Sequence, residues 1–466
     1  MTLPRSAAAQ AVFLLLVACA SRAWLFGNPV IHSDEQFYLL VGDRMWSGAW
    51  PFVDIFDRKP VGLFLIFAAI RALPGDGILA YQIAATVVVA ATAFLITRIA
   101  RRFAGPEAAF GAGVLYLVWL VVFDGAGGQS AVWQNLLTAS AALLVIAARS
   151  EGLTRRGVAV MLLVGCAMQV KYVALFEGVF FGLWLLWMGF LGGRSAARLA
   201  GDAALWVAAA LLPTAAAWAM YAGAGHGDAF VFANFQSFFG QQDDDTPLSN
   251  LLKLVEALAL LGPLLWLTWR GWSASAFARG WAAAGIGAVL IIHTFEQLYW
   301  LPALLPLSVA SAAGLERVDR RRAMIWALAL GIVAAVALTF LRVSRRGDAR
   351  SVEALVGLIG QRPSGCLFTF GSEPILYHLT RSCLPTAYIF RSHLGQTRES
   401  RGIGIDPVPE VARVLAARPG VIVVREPKTS TNPATAQLVH AAARARYEYA
   451  GTVKNGEMRH HVYRLR

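Results

Sequence analysis

Asp57-Arg58-Lys59-Pro60, followed by Val61-Gly62-Leu63-Phe64-Leu65-Ile66-Phe67-Ala68-Ala69-Ile70-Arg71-Ala72-Leu73, is the stretch on which the fold turns. A helix that crosses a bilayer needs roughly 20 apolar residues. The run from Val61 to Leu73 falls well short of that and carries Arg71, which suits an interfacial or re-entrant helix better than a span. Longer apolar runs lie at roughly 8–26, 78–97, 107–123, 130–148, 157–171, 174–191, 203–222, 251–269, 278–295, 299–314 and 323–341.

The arginines between these runs decide the matter. Cytoplasmic linkers collect Lys and Arg. With 61–73 left out, five Arg clusters fall on one side: Arg98–Arg102, Arg149–Arg156, Arg194 and Arg198, Arg270 and Arg279, and Arg317–Arg322. Counted as a span, 61–73 puts all of them on the wrong side. The expectation is eleven spans, with the N-terminus inside and the C-terminus outside. Segments 27–77, 124–129, 223–250 and the tail from 342 then face the extracytoplasmic side.

Composition agrees. Of 466 residues, 57% are hydrophobic and 15% charged, against about a quarter charged in a soluble domain. The net charge of +13 would raise nucleic acid as a partner in a soluble chain. Here topology accounts for much of it, and no basic stripe interleaves with stacking aromatics, so no nucleic-acid partner is expected. No GxxxxGK[ST] or Rossmann fingerprint is present, so no nucleotide pocket is expected either. The apolar run after Arg5 reads as an uncleaved first helix. The alternative is a signal peptide, since Leu16-Val17-Ala18-Cys19 is similar to a lipoprotein cleavage site.

The tail changes character. Cys366–Phe370 and Gly420–Val424 read as strands, 351–360, 407–417 and 433–446 as helices, and Tyr447–Val453 and His461–Arg464 as closing strands. The fold class expected is a polytopic all-α membrane protein with a small C-terminal α/β domain. The division is 1–344 for the membrane domain, with 27–77 as its first outer loop, and 345–466 for the extracytoplasmic domain. Cys366 and Cys383 both lie in that tail, where an oxidising compartment permits a disulfide.

Four groups of residues are candidates for chemistry. His32-Ser33-Asp34-Glu35-Gln36-Phe37-Tyr38 places two carboxylates just after a membrane exit. They are either a solvated pair or a general base, or in the case of Asp34 a ligand for a divalent cation. Adjacent residues point differently, so Asp34 and Glu35 do not share one role. Asp57, Arg58 and Lys59 precede the short helix started by Pro60. Two cations at a helix start make either a phosphate site or an anchor to lipid headgroups. Lys171 is one of five lysines and sits at an outer span end, as a snorkelling side chain or a second phosphate contact. His293, Glu296, Gln297 and Tyr299 share one outer turn, either binding a sugar or headgroup or capping the helix. Asp243-Asp244-Asp245 reads as solvated surface.

These residues, in this order and on one side, resemble the GT-C membrane glycosyltransferases, within the group of protein O-mannosyltransferases and lipid A aminoarabinose transferases. The resemblance rests on Asp34-Glu35-Gln36-Phe37-Tyr38, Arg58-Lys59-Pro60, Lys171 and the turn His293–Tyr299 before Leu301-Pro302, and covers about residues 8–341. In one place the chain departs from the aminoarabinose transferases: where they carry an Asp after the Gly-rich second loop, it has Gln129, Gln134 and Asn135.

The resemblance implies a glycosyltransferase, hexosyl or pentosyl, that uses a polyprenyl-phosphate-linked sugar donor. The acceptor would be a hydroxyl on a cell-envelope lipid, glycan or protein. The enzyme would sit among the lipids of the inner (plasma) membrane with its active site outside. Asp34, supported by Glu35, would be catalytic. Arg58, Lys59 and Lys171 would bind the donor phosphate, and Tyr38, Asp57, His293, Glu296, Gln297 and Tyr299 the substrates. The alternative is a transporter or flippase for a lipid-linked sugar, which calls for ionisable residues near the bilayer midplane; the span centres are nearly free of Asp and Glu.

Overall fold

A computed structural model describes residues 6–149, 151–241 and 246–466; the Asp243-Asp244-Asp245 run lies outside them. Each expected span coincides with one helix: Ala7–Arg22, Ile78–Ala100, Pro106–Val122, Ser130–Ile146, Leu153–Met168, Ala174–Leu191, Ala196–Gly223, Pro247–Arg270, Ala276–Ile292, Leu301–Glu316 and Arg320–Arg346. Among the described residues, seven helical segments are long and apolar enough to cross a membrane, while Val61–Arg71, Pro106–Val122, Ser130–Ile146 and Ala276–Ile292 are apolar but shorter. The chain is a multi-pass membrane protein. Val61–Arg71 has 11 residues, so at 1.5 Å per residue it spans about 16 Å, half of a hydrocarbon core of about 30 Å.

Compactness divides the chain into two units. The first comprises Met1–Trp24, Ile83–Ala217 and Thr246–Thr339; the second comprises Leu25–Gln82, Trp218–Asp245 and Phe340–Arg466.

The first unit is helical. Pro106–Val122 and Leu301–Glu316 are buried along almost their whole length, as helices apolar on every face must be. Small residues let backbones approach: a Cβ on Gly314 would overlap the Leu267 carbonyl, and one on Gly271 would lie 2.5 Å from Gly314 N. Several of the polar groups inside hydrogen-bond to one another, while the Gln134 Oε1 and Asn135 Oδ1 atoms have no partner among the described residues. Arg22 donates to Thr86 Oγ1 (3.2 Å) and to the carbonyls of Gly125 (2.7 Å) and Gly127 (2.5 Å). Glu177 accepts from Trp281 Nε1 at 2.7 Å and Gln134 Nε2 at 3.2 Å. Asn135 donates to Tyr116 Oη and to the Leu301 carbonyl, each at 3.1 Å. Gln134 and Asn135 therefore serve packing.

In the second unit, segment 27–77 folds into the helices Ser33–Met45 and Val61–Arg71. Asp34 and Glu35 occupy the first turn of Ser33–Met45, where carboxylates suit the helix dipole. The two helices cross at Gly42, where a Cβ would meet Ala68 N at 2.6 Å and Phe67 C at 2.7 Å. Trp46 Nε1 donates to the Ala68 carbonyl at 2.8 Å, and Arg71 Nε donates to Asp43 Oδ1 at 2.9 Å.

The tail forms a four-stranded sheet from β1 (Leu367–Phe370), β2 (Val421–Arg425), β3 (Tyr447–Asn455) and β4 (Met458–Leu465). Its order is β1-β2-β4-β3. β1 and β2 are parallel, with Leu367 opposite Val421 and Phe370 opposite Val424; β4 runs antiparallel to both its neighbours. β1 and β2 are buried at every position, which their unbroken apolar runs require. Helices Ala349–Ile359, Pro407–Ala416 and Pro433–Arg446 match the three expected within two residues. Cys366 and Cys383 form a disulfide.

Candidate active site

The second unit brings together Asp34, Tyr38, Asp57 and Lys59, and adds two residues that the sequence did not single out, His32 and Arg391. His32 caps the Asp34 helix: its Nδ1 accepts the Asp34 N–H at 3.2 Å and lies 3.7 Å from Asp34 Oδ1. One turn on, Tyr38 donates to Asp34 Oδ2 at 3.3 Å, the i,i+4 reach of a helix. The Tyr38 ring is held edge-on by Phe64 and Phe67 of the second helix. Burial works to raise the Asp34 carboxyl, but His32, Lys59 and Arg391 and the Tyr38 hydroxyl outweigh it and hold it below the usual range.

Asp57 behaves in the opposite way. Its Oδ1 accepts the Arg58 N–H at 2.7 Å. Burial, helped by the Asp34 charge and opposed by Lys59 and Arg58, pushes it up to about 6. Two carboxyls that act on each other are thus driven apart, the pattern by which a site separates an always-ionised group from one that titrates near neutrality.

Arg58 goes elsewhere. Its Nη1 pairs with Glu399 Oε2 at 2.7 Å and its Nε donates to Ser237 Oγ at 2.6 Å. The residues before it are strapped down as well: Phe56 N donates to the Ala387 carbonyl at 2.9 Å, and the Phe56 ring packs on Phe232, Tyr388 and His393. Those contacts fix the irregular segment that presents Asp57 and Lys59. Glu35 is fully buried and accepts from the Tyr81 hydroxyl at 3.3 Å. It turns from Asp34 into the packing, as the helix angle between neighbours demands.

The first unit holds the other candidates. Lys171 Nζ lies 5.3 Å from the centroid of the Tyr299 ring, a cation–π contact. Glu296 Oε1 lies 3.6 Å from Lys253 Nζ, and Gln297 Nε2 donates to Glu256 Oε1 at 2.7 Å. His293 closes the helix Ala276–Ile292 in the left-handed region (φ +58°) with its ring 5.0 Å from Phe295. The turn is therefore split: Tyr299 meets Lys171, Glu296 and Gln297 face helix Pro247–Arg270, and His293 caps.

No protein-family model matches this sequence, and neither does any curated protein. Solved structures do. ArnT, the lipid A aminoarabinose transferase of Cupriavidus metallidurans, in the apo state, superposes with a TM-score of 0.67 at 15% identity over 98% of both chains. The crystal structure of that ArnT bound to undecaprenyl phosphate gives 0.67 at 14% identity over 97% of each. The Archaeoglobus fulgidus oligosaccharyltransferase tethered with an acceptor peptide gives 0.52 at 11% identity, over 90% of this chain and 68% of that one. The fold is that of the GT-C glycosyltransferases.

The likeness to ArnT extends over the tail, since it covers 98% of this chain. Among the described residues no three His, Cys, Asp or Glu side chains group as ligands would, and the cations Lys59 and Arg391 already act on the carboxylate. Arg391 carries no local signal in the sequence, being one of 36 arginines; only the tertiary fold brings it to Asp34. His32 could have been read as a helix cap from its place before Ser33-Asp34-Glu35.

Proposed function

We propose that the chain is a glycosyltransferase that moves a sugar from a polyprenyl-phosphate donor to a hydroxyl on a cell-envelope lipid, glycan or protein at the outer face of the inner membrane. The observation that carries this reading is Asp34, a carboxylate kept ionised by His32, Lys59 and Arg391 and oriented by Tyr38. In the reaction the acceptor oxygen bonds to the anomeric carbon and the bond from that carbon to the donor phosphate breaks. The hydroxyl proton passes to Asp34. A carboxylate held this low is ionised at every physiological pH, and its weak basicity suits a displacement in which the proton moves late.

Lys59 neutralises charge developing on the leaving phosphate. Lys171, steadied by Tyr299, is assigned a phosphate contact in its own surroundings. Arg58 is a positioning residue, because Glu399 and Ser237 engage its guanidinium. Asp57 contacts substrate hydroxyls, and Glu35 supports the helix. His293, Glu296 and Gln297 are assigned to binding substrate at their turn.

The topology proposed is eleven spans, with 27–77 and 345–466 extracytoplasmic. The alternating Arg linkers support it, as does the Cys366–Cys383 disulfide, a bond characteristic of oxidising compartments. A cysteine placed at position 59 should react with an impermeant thiol reagent added from outside; labelling only after the membrane is opened would refute this topology.

The function is tested by supplying membranes with a polyprenyl-phosphate-linked sugar and following envelope lipids, glycans and proteins by mass spectrometry, with and without the protein. The expected result is a sugar-mass increment on one acceptor class that depends on the protein. Identical profiles across the polyprenyl-phosphate donors tested would contradict the reading.

A further inference from the structure

We propose that the carboxyl edge of β1 and β2 is an oxyanion site, built from Arg391, Arg425 and Lys428, for a phosphate or carboxylate carried by the acceptor. β1 and β2 run parallel, so the chain leaves both at the same edge, through Gly371-Ser372-Glu373 and through Glu426-Pro427-Lys428. The crevice beyond the carboxyl ends of parallel strands is where α/β sheets receive ligands.

Arg425, the last residue of β2, is only 9% exposed. Among the described residues its guanidinium makes one hydrogen bond, from Nη1 to Met458 Sδ at 3.4 Å. A thioether is a weak acceptor, so the guanidinium's hydrogen-bonding capacity is largely unused within the chain. The wall beside it is backbone: a Cβ on Gly371 would lie 3.8 Å from Arg425 Nε, and one on Gly395 would lie 3.7 Å from Gly371 N. Two backbone bonds, Asn432 N to the Gly395 carbonyl (2.9 Å) and Thr397 N to the Ser430 carbonyl (3.1 Å), tie the 391–397 loop to the loop after β2. This brings in Arg391, whose guanidinium has no hydrogen bond or ion pair among the described residues.

Three cations act on one another here. Arg391 acts on Arg425 and on Lys428, and burial together with this crowding lowers both. The carboxylates in reach are Glu373, which also accepts from Gln36 Nε2 at 2.8 Å, the exposed Glu457, 3.8 Å from Arg345, and Asp34, on which Arg391 acts. His460, held down to about 4 by burial, stays neutral beneath, hydrogen-bonded to Ser372 Oγ at 2.8 Å. A fork of guanidinium donors with an ammonium beside it matches the oxygens of phosphate or carboxylate. The Gln36–Glu373 bond joins the Asp34 helix to this same edge, and Arg391 acts on Asp34 too. An anion held there would lie at the edge that this bond ties to the Asp34 helix. Its assignment to the acceptor rests on the transferase reading above; the binding site itself does not.

The test reads Lys428 directly. The full chain, in nanodiscs of phosphatidylcholine, is treated with an amine-acylating reagent, and modification of Lys428 and Lys454 is followed by peptide mass spectrometry. Inorganic phosphate at about ten times its Kd should slow Lys428 labelling about ten-fold and leave Lys454 unchanged. Arg425→Gln should abolish that protection, and Arg391→Gln, a half-buried position, should do the same if the first variant fails to fold. A second arm replaces the phosphate with phosphatidic acid in the disc. Protection by inorganic phosphate in the neutral disc supports the site. Protection by phosphatidic acid alone would make it a headgroup contact and overturn the proposal, as would equal labelling with and without phosphate or protection that survives both variants. None of these readouts needs sugar transfer, so failure of the site and failure of the transferase reading are told apart.

Discussion

Arg58 Nη1 lies 2.7 Å from Glu399 Oε2, joining the segment before helix Val61–Arg71 to the C-terminal region. The Glu399 side chain is 2% exposed and that of Arg58 16%. Burial raises the Glu399 carboxyl, but Arg58 and His393 outweigh it and hold it low. Breaking a buried pair costs about 3–5 kcal/mol, and the upper part of that range is softened here by Arg398, whose Nε stays 3.5 Å from Glu399 Oε1. Arg58→Ala should therefore lower the thermal unfolding midpoint clearly, and the double variant Arg58→Ala with Glu399→Gln should recover part of the loss. A fully stable Arg58→Ala protein that had lost donor affinity would instead return Arg58 to the role of phosphate ligand.

Lys59, next in sequence, should separate from Arg58 in kinetics. Its charge acts on both Asp34 and Asp57. Lys59→Gln should leave unfolding within about 0.5 kcal/mol of wild type, as for a side chain outside the core, and lower kcat/KM about 10²-fold through lost stabilisation of the leaving phosphate. Steady-state transfer against donor concentration checks this.

Much of this arrangement was legible in the residues themselves. The short run after Pro60 and the Arg linkers gave the membrane helices, and the apolar runs of the tail gave its strands. Helix geometry separated Asp34 from Glu35. Other features depend on tertiary approach. Arg58 and Glu399 are far apart in sequence, and nothing near either announces the other. Arg391 looks like any other arginine until the fold brings it to Asp34. His293–Tyr299 reads as one polar turn, but the left-handed backbone at His293 and the neighbouring helices disperse it. Gly42 shows its purpose only where the second helix presses on it.

Asp57 sets a pH dependence. Its carboxyl is pushed from 3.8 to about 6, by burial first, so the folded state holds the proton more tightly than the unfolded chain does. Its contribution to stability is present below about pH 4 and is lost as pH rises through about 6, on the order of 2–3 kcal/mol in all. Asp57→Asn should raise the unfolding midpoint at pH 7 and flatten its slope between pH 4 and 6, as scanning calorimetry in detergent would record. An unchanged slope would remove Asp57 as the titrating group.

The Cys366–Cys383 bond closes a sequence separation of 17, for which chain entropy gives a stabilisation of about 3 kcal/mol. Cys383→Ser should loosen the loop before β1, and proteolysis under native conditions should cut the tail faster than in wild type. Equal resistance of the oxidised and variant chains would show that the sheet holds without it.

The central claim is that Asp34 accepts the proton of the acceptor hydroxyl, and its most direct test is the rate of sugar transfer from a polyprenyl-phosphate donor by Asp34→Asn. The amide keeps the shape and the Tyr38 contact but cannot take the proton. Turnover should fall about 10²–10⁴-fold in a protein that stays folded, with a lower unfolding midpoint because the ionised carboxylate contributes to stability. Wild-type turnover by the folded Asp34→Asn protein would contradict the account.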